Sequence, residues 1–421
     1  ILQRFNIQVQ LEAAGDYKSF GEPYTRAYAS PANREQMLAL YGDLQNQLVQ
    51  GIANGRDLTE QGVQQLLARS PLAAEDALEA KLIDELLYID QVDDKLKAML
   101  GQDDLRIISL RGYGRLARAE RWLSSLGRKD SVVAVVHLEG PIVMGGDGIQ
   151  GRRITAKQVV PVIRQLGRDD NVKAVVLRVD SGGGSALASD LIARAVRKLG
   201  EDKPVVAVYG NIVASGGYYL SVVARELIAR PGTITGSIGV VGGKVVVSGA
   251  LAKQGLTGDY IEAGPDVGML GPFRPFTDEQ RKRFKEYLRR TYDLFLNIVA
   301  GGRRVPVSAI EPVAQGRVWT GRQAKERELV DHFGGLRTGI SRARMLSGLQ
   351  RGEGLVMHLD FTPSRIQTLS SLANNAQLGQ VDPMALALQL GGDNAQLLRL
   401  LKEQPGQALA LCPWILDADQ T

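Results

Sequence analysis

Cysteine is almost absent from this chain of 421 residues, which contains only Cys412. A single cysteine excludes an intramolecular disulfide framework. Long apolar runs are also missing, because no stretch approaches the roughly 20 residues that a membrane-spanning helix needs. The length is sufficient for two or three domains with large buried cores.

Charge of one sign does not dominate the sequence. The formal net charge is +5 and the sequence pI is about 9.2, with the charges scattered along the chain. The densest basic run, Arg281–Arg290, falls on a predicted helix whose other face is apolar. This pattern favours a solvated helix face over nucleic-acid binding, so no nucleic-acid partner is expected, and it leaves a membrane-surface role open.

Two glycine-rich loops follow two predicted strands. The strand at 172–179 leads into Asp180-Ser181-Gly182-Gly183-Gly184-Ser185 and a helix from Ala186 to Leu199. The strand at 204–209 ends in a Gly210-Asn211 turn, and Ser215-Gly216-Gly217 then precedes a short buried helix from Leu220. Such a β-loop-α repeat places both loops at one edge of a parallel sheet.

The serine at 215 is a candidate nucleophile. A serine at a strand-to-helix corner can expose its hydroxyl, and backbone N–H groups of the neighbouring glycine loop could form an oxyanion hole. A plain Ser-Gly-Gly turn and a phosphate-binding loop are the alternatives. The loop at 180–185 has neither the G-x-G-x-x-G pattern nor a Gly-Lys-Ser/Thr ending, which argues against phosphate.

Histidine is too scarce to make a Ser-His-Asp triad promising. The chain has three histidines, of which His137 lies in the apolar run 132–138 and is best interpreted as a core residue. His332 and His358 lie in segments without glycine loops. A neutral lysine is the remaining way to activate a serine, and it requires burial of the amine. Composition does not identify which lysine.

Five ordered motifs resemble those of the signal peptide peptidase A (protease IV) family, of the long bacterial type. They are Ala214–Tyr218, Pro231–Gly239, Leu177–Ser185, Gly316–Gly321 and Gly15–Ser19. The resemblance extends from about residue 5 to 350. It implies an α/β fold, a β-α superhelix like that of crotonases or Clp proteases.

The resemblance also implies a site. Ser215 would be the nucleophile, Lys18 the general base and Ser237 the hydroxyl that positions the lysine amine. The oxyanion donors would be the N–H groups of Gly183 or Gly184 and of Gly216. Asp180 and Gly182 replace the asparagine and proline of the family loop, so this loop lacks the φ restraint of a proline ring and carries an additional carboxylate near the site.

The resemblance further implies a serine endopeptidase that degrades remnant signal peptides and other short apolar peptides. No metal or cofactor is expected. The implied location is the periplasmic side of the bacterial inner membrane, and the implied assembly is a homotetramer with helical arms suited to contacts between subunits. A crotonase-like acyl-CoA hydratase or isomerase is the alternative enzyme, and a catalytically silent scaffold is the third hypothesis.

An internal repeat relates two parts of the chain at a constant offset of 247 residues. Ser30 corresponds to Thr277, Asn54–Arg56 to Gly301–Arg303, and Leu82–Asp84 to Leu329–Asp331. Each copy is predicted to be a helical arm with a long helix, a short helix and a return strand. The long helices are predicted to begin at caps, Ser30 before Pro31 in the first copy and a Thr277–Gln280 capping box in the second.

The predicted domains are 1–110, the last part of the first repeat; 131–350, the second repeat; and 351–421, a strand at 355–359 with a tail holding helices at 384–390 and 395–401. The tail could pack on a neighbouring subunit or be loosely ordered. By symmetry, a sheet core for the first repeat would begin roughly 115 residues before Ile1. We therefore expect the chain to be a shortened form without that core or a membrane anchor.

Overall fold

The computed structural model describes residues 2–70, 72–101, 131–145, 152–256 and 268–360. The strands in these ranges are β1 (Gln8–Ala14), β2 (Val132–Glu139), β3 (Ile142–Val143), β4 (Ile154–Thr155), β5 (Val172–Ser181), β6 (Val205–Ala214), β7 (Glu226–Ala229), β8 (Ile234–Gly236), β9 (Val240–Val246), β10 (Val318–Thr320), β11 (His332–Phe333) and β12 (Leu355–Asp360).

The helices are α1 (Glu22–Thr25), α2 (Pro31–Arg56), α3 (Glu60–Ala68), α4 (Ala74–Glu79), α5 (Ile89–Leu100), α6 (Ala156–Arg168), α7 (Ala186–Asp202), α8 (Gly216–Ser221), α9 (Ser248–Ala252), α10 (Asp278–Arg303), α11 (Val307–Ile310), α12 (Gly321–Glu326) and α13 (Leu336–Leu346). Among the described helices, none is both long enough and apolar enough to cross a bilayer.

An eight-stranded sheet forms the centre of the fold, with β10, β8, β6, β5, β2 and β12 side by side in that order. All its pairings are parallel except that of β10 with β8, and β7 joins β6 on one side and β11 on the other. Two-stranded pairs β1–β9 and β3–β4 stand apart from it. The α/β prediction is confirmed.

Both faces of the sheet are buried, which explains why its strands are nearly continuous apolar runs. Along β2, Val133 and Val135 face one cluster, whereas Ala134 and Val136 face the other. Helix α13 covers the first face through Ala343. Buried residues of α6, α7, α8 and α10 belong to the larger cluster on the second face.

Strand β6 extends farther than the sequence predicted. Instead of ending at Gly210-Asn211, it continues to Ala214, immediately before Ser215. The carboxylate of Asp180 accepts hydrogen bonds from the backbone N–H groups of Asn211 and Ile212, both at 3.1 Å. These bonds give partners to two N–H groups of β6 where its pairing with β5 is irregular. Beyond that point, residues 212–214 pair with β8.

The helices of the repeat are confirmed by their bounds. The predicted return strand is present only in the second copy, as β11, which pairs with β7; residues 82–88 of the first copy form no strand. Helices α2 and α10 both have 26 residues and coincide at the offset of 247, as do the bounds of α4 and α12. Both predicted caps form, since Ser30 accepts from the N–H of Asn33 and Thr277 makes a capping box with Gln280. An ion pair recurs as well, Arg56–Asp84 in the first copy and Arg303–Asp331 in the second.

The described residues fall into two compact units. Residues up to 41 group with those from 131 onward, and residues from 42 to 101 belong to the second unit. The segment around Lys18 therefore shares a unit with the sheet. The strand predicted at 355–359 is present as β12, which pairs with β2. The tail helices predicted at 384–390 and 395–401 lie outside the described residues, and the three-part domain division stays a prediction.

Candidate active site

Ser215 occupies the corner between β6 and α8. Its backbone has φ 53° and ψ −121°, a conformation that non-glycine residues adopt only where the surroundings enforce it. Two backbone hydrogen bonds hold Ser215 in this conformation. Its N–H donates to Gly236 O at 2.9 Å, and its carbonyl oxygen accepts from Tyr219 N at 2.9 Å. Helix α8 begins at Gly216, earlier than predicted, and all six of its residues are buried. The serine is therefore fixed at a strained turn.

Lys18 lies against a turn that belongs to the second repeat. The N–H of Tyr17 donates to Gln315 O at 2.9 Å. Gly316, at φ +75°, has no room for a side chain, because a Cβ there would lie 2.7 Å from Lys18 Cβ. Gly15 approaches the same turn just as closely, since its Cβ would lie 2.5 Å from the Gln315 carbonyl carbon. Glycine at both positions lets the two backbones meet.

The Lys18 amine reaches both predicted serines. Lys18 Nζ lies 3.1 Å from Ser215 Oγ, 2.8 Å from Ser237 Oγ and 3.0 Å from Ser237 O. Ser237 has φ 51°, and its N–H donates to Arg317 O at 2.7 Å. Residues separated by 197 and 219 positions thus meet at one nitrogen atom.

Burial of the amine changes its ionisation. Although the Lys18 residue is half-buried as a whole, its amine is enclosed, and this desolvation lowers the pKa of Lys18 from 10.5 to about 7. Desolvation penalises the ammonium form because the protein interior solvates a charge less well than water does. Near neutral pH a substantial fraction of Lys18 is consequently uncharged.

The glycine loop after β5 lies directly against the serine corner. A Cβ on Gly183 would lie 2.9 Å from Ser215 Cβ, and one on Gly216 would lie 3.3 Å from Gly184 N. The Gly183 N–H donates to Ser181 Oγ at 3.2 Å. Gly184 N therefore lies close to the backbone of Gly216, and Gly183 N is engaged elsewhere.

The two departures from the family loop have different consequences. Asp180 bonds to the β6 backbone rather than to Lys18 or Ser215. At Gly182 the missing proline leaves the loop supported by β3, because Ile142 N donates to Gly183 O at 2.9 Å and Ser185 N donates to Ile142 O at 2.8 Å. These two bonds hold the loop where a proline ring would otherwise stiffen it.

The histidines take no part in the hydrogen bonds that the structure gives Lys18 and Ser215 within its described ranges. His137 is half-buried on β2, rather than a core residue as predicted, and its Nε2 lies 2.9 Å from His358 Nδ1. His137 lies on the sheet face of Val133 and Val135 but past their apolar cluster, where its neighbour on β5 is Arg178, whereas Leu138 on the opposite face is buried. No group of three or more His, Cys, Asp or Glu side chains arranged for a metal occurs in the described part of the chain.

Sequence reasoning missed the residues that support Lys18. Gln36, buried in α2, donates to Tyr17 O at 3.0 Å and accepts from Val318 N at 3.3 Å. Arg317 stacks on Tyr17 and bonds to Glu35. The only signal for Arg317 was its place in the motif Gly316–Gly321, and nothing in the sequence distinguished Gln36 from other polar helix residues.

The model of Peptidase family S49 matches residues 1–103 and 197–350. The chain belongs to this family. An S49 relative named "Serine protease SPPA, chloroplastic", from Arabidopsis thaliana, is 32% identical over 352 residues, which are 83% of this chain and 52% of the relative. "Protease 4" of Salmonella typhi is 30% identical over 401 residues, covering 91% of this chain and 62% of the relative. This S49 chain therefore spans about half to two thirds of the length of these relatives.

Two solved structures match parts of the S49 chain. A point mutant of ClpP1 from Listeria monocytogenes is 16% identical, covers 49% of this chain and 94% of its own, and has a TM-score of 0.33. A point mutant of the membrane-bound stomatin-specific protease 1510-N is 15% identical, covers 55% of this chain and 98% of its own, and has a TM-score of 0.34.

Proposed function

We propose that this chain carries the active site of a serine endopeptidase with a Ser215–Lys18 dyad. The observation that supports it most is the set of three oxygens around Lys18 Nζ. A neutral amine has two N–H donors and one lone pair. It can donate to both Ser237 oxygens while its lone pair accepts the hydroxyl hydrogen of Ser215.

The proton then follows a closed path. Lys18 takes the hydrogen of Ser215 Oγ as that oxygen attacks a peptide carbonyl carbon, and the ammonium so formed gives the proton to the leaving amine nitrogen. The products of this half are an acyl-serine and a released peptide. A water molecule next loses a proton to Lys18 and attacks the ester, after which the proton returns to Ser215. Each half begins and ends with a neutral lysine.

The oxyanion donors in this proposal are the N–H groups of Gly184 and Gly216. Their proximity beside Ser215 supports the assignment, since a tetrahedral intermediate needs fixed donors on one side of the nucleophile. The bond from Gly183 N to Ser181 Oγ argues against Gly183, the other residue named by the sequence. Gly183 instead provides the close approach between loop and corner.

The substrates proposed are remnant signal peptides and other short apolar peptides. Support comes from a relative named "Putative signal peptide peptidase SppA" in Enterococcus faecium, 36% identical over 173 residues that cover 41% of this chain and 50% of the relative. We further propose that the protein is located on the periplasmic side of the bacterial inner membrane and that it forms a homotetramer. Family membership favours it over the acyl-CoA alternative.

The first prediction tests the dyad by covalent labelling and turnover. A fluorophosphonate probe should add one label to the wild-type protein and none to Ser215→Ala, measured by intact mass. Lys18→Ala and Lys18→Arg should both lose peptide-ester hydrolysis by about 10³-fold or more, because arginine keeps the charge but does not release a proton.

The controls separate the alternatives. Lys198→Arg, at a largely exposed lysine of α7, should hydrolyse the ester at the wild-type rate. Wild-type activity in Lys18→Arg would reject lysine as the base. An unlabelled but folded wild-type protein would favour the silent scaffold, and turnover of an acyl-CoA thioester at rates above those of the peptide ester would favour the crotonase-like alternative.

A further inference from the structure

The Arg317 side chain packs between two aromatic rings beside the lysine segment, Gly15–Ser19. The proton transfer between Lys18 and Ser215 does not itself require this packing. The Arg317 guanidinium carbon lies 4.7 Å from the centre of the Tyr17 ring and 4.5 Å from that of Trp319. Its Nη1 donates to Glu35 Oε1 at 2.8 Å, and only 19% of the side chain is exposed. The residue stacked on it, Tyr17, directly precedes Lys18.

The backbone of Arg317 holds the other partner of the amine. Arg317 O accepts the N–H of Ser237 at 2.7 Å, and the adjacent Gly316 N donates to Ile238 O at 2.7 Å. One residue therefore contacts the lysine segment through its side chain and the Ser237 turn through its main chain. The distance between Lys18 Nζ and Ser237 Oγ depends on both contacts.

Tyr17 is also connected to Arg317 through hydrogen bonds to a shared carboxylate, that of Glu35. Tyr17 OH donates to Glu35 Oε2 at 3.0 Å, so Glu35 bridges the ring and the guanidinium. Gln36, the next residue of α2, holds Tyr17 O and accepts from Val318 N, which follows Arg317. Side chain and main chain of residue 17 are thus both bound to the 317–318 segment, directly or through α2.

We propose that Arg317 is the positioning residue that seats Lys18 against Ser215 and Ser237. The inference rests on the proposed function, because it assigns a role in delivering the base. Arg317 does not touch the reacting atoms. A planar guanidinium is suited to this place, since it stacks between two rings and still bonds to a carboxylate, which the ammonium of lysine does not reproduce.

The test compares Arg317→Ala and Arg317→Lys with Arg327→Ala in the full chain. Arg327 is a matched control, because its guanidinium carbon also lies over the Trp319 ring, at 3.9 Å, but its hydrogen bonds go to Gln323 O and Glu326. We expect both Arg317 variants to lower kcat by about 10- to 100-fold with KM within about 2-fold, as for a misplacement of catalytic groups by about 1 Å. Arg327→Ala should match the wild type.

The pH dependence of kcat distinguishes positioning of Lys18 from a merely structural role, because a loss of stability alone would not shift it. A loosened lysine segment admits water to the amine, which relieves the desolvation and raises the pKa of Lys18. The acidic limb of kcat against pH should therefore move toward higher pH in both Arg317 variants, and activity should recover in alkaline buffer. Tyr17→Leu, which removes one stacking face, should move the limb in the same direction, whereas Tyr17→Phe, which keeps that face and loses only the hydrogen bond to Glu35, should move it less.

The outcomes distinguish this proposal from the dyad. If Lys18→Ala is inactive at every pH but Arg317→Ala and Tyr17→Leu keep the wild-type limb, the positioning role is wrong and the dyad stands. A fall in melting temperature with an unmoved limb rejects the positioning role in the same way. If Arg317→Lys behaves as the wild type, positive charge rather than stacking is what matters, and the proposal is overturned. If Lys18→Ala is active, the dyad fails first.

Discussion

Ser237 gives the Lys18 amine two acceptors, Oγ at 2.8 Å and the carbonyl oxygen at 3.0 Å. Removing the hydroxyl leaves the carbonyl, so Ser237→Ala should reduce kcat by about 10- to 100-fold rather than abolish it, as for loss of one orienting hydrogen bond. Because Ser237 has φ 51°, Ser237→Gly removes the hydroxyl without backbone strain and is the sharper variant.

The measurement is steady-state ester hydrolysis of both variants, with labelling of Ser215 as a check that the nucleophile survives. Equal losses in the two variants assign the effect to the hydroxyl. A normal rate in Ser237→Gly would mean that the carbonyl oxygen alone orients the amine and that the hydroxyl is part of the turn.

The sequence predicted individual site residues unevenly. Ser215 was visible as a local pattern, because strand, corner and helix are adjacent in the chain. Lys18 came only through the resemblance to a family, since no local pattern distinguishes a buried lysine from an exposed one. Gln36 and Val318 are separated by 282 positions, and a contact of that kind has no local signal at all.

At the scale of elements, the duplicated arm presents the same ion pair in two environments. In the second copy the side chains of Arg303 and Asp331 are 11% and 27% exposed, and Asp331 also accepts from Leu227 N at 2.7 Å. In the first copy Arg56 and Asp84 are 32% and 83% exposed. Burial thus differs while chemistry and position in the repeat stay the same.

We expect Arg303→Ala to lower the free energy of unfolding by about 3–5 kcal/mol, because it leaves a partly buried carboxylate without its partner. Arg56→Ala should have a much smaller effect, as is usual for an exposed pair that solvent screens. Denaturant unfolding of the two variants, followed by circular dichroism, gives both values. Similar losses in the two copies would contradict this account of the ion pairs.

The repeat is also where sequence-based prediction of elements succeeded best. Helix caps depend on residues that are close together in the chain, so Ser30 and Thr277 predicted the starts of α2 and α10 correctly. The prediction for β6 was wrong at its end because Gly210-Asn211 looks like a turn. The side chain of Asp180, on the neighbouring strand, supplies the acceptors that let the strand continue.

For the whole molecule, the buried amine links stability to pH. The pKa of Lys18 is about 7 in the fold and 10.5 when unfolded, so between these values the unfolded chain binds one more proton. The stability of the wild type should therefore rise with pH across this window. Lys18→Met lacks this dependence and should be more stable than the wild type at pH 6, with the difference shrinking toward pH 10.

Each pKa unit corresponds to about 1.4 kcal/mol, so the change in the difference is within reach of urea titrations at several pH values. Lys198→Met, at a side chain that is 77% exposed, is the control and should show no such trend. A pH-independent difference between Lys18→Met and the wild type would mean that the amine is hydrated in the fold.

The proposed site also has an order in time. During synthesis Lys18 leaves the ribosome first, Ser215 follows 197 residues later, and Arg317 comes 282 residues after its partner Glu35. At about 5–20 residues per second, Arg317 is synthesised roughly 15 to 60 s after Lys18. If the dyad acts as proposed, the nascent chain holds an incomplete site until Arg317 has been made, and we expect it not to cut itself or neighbouring chains before then.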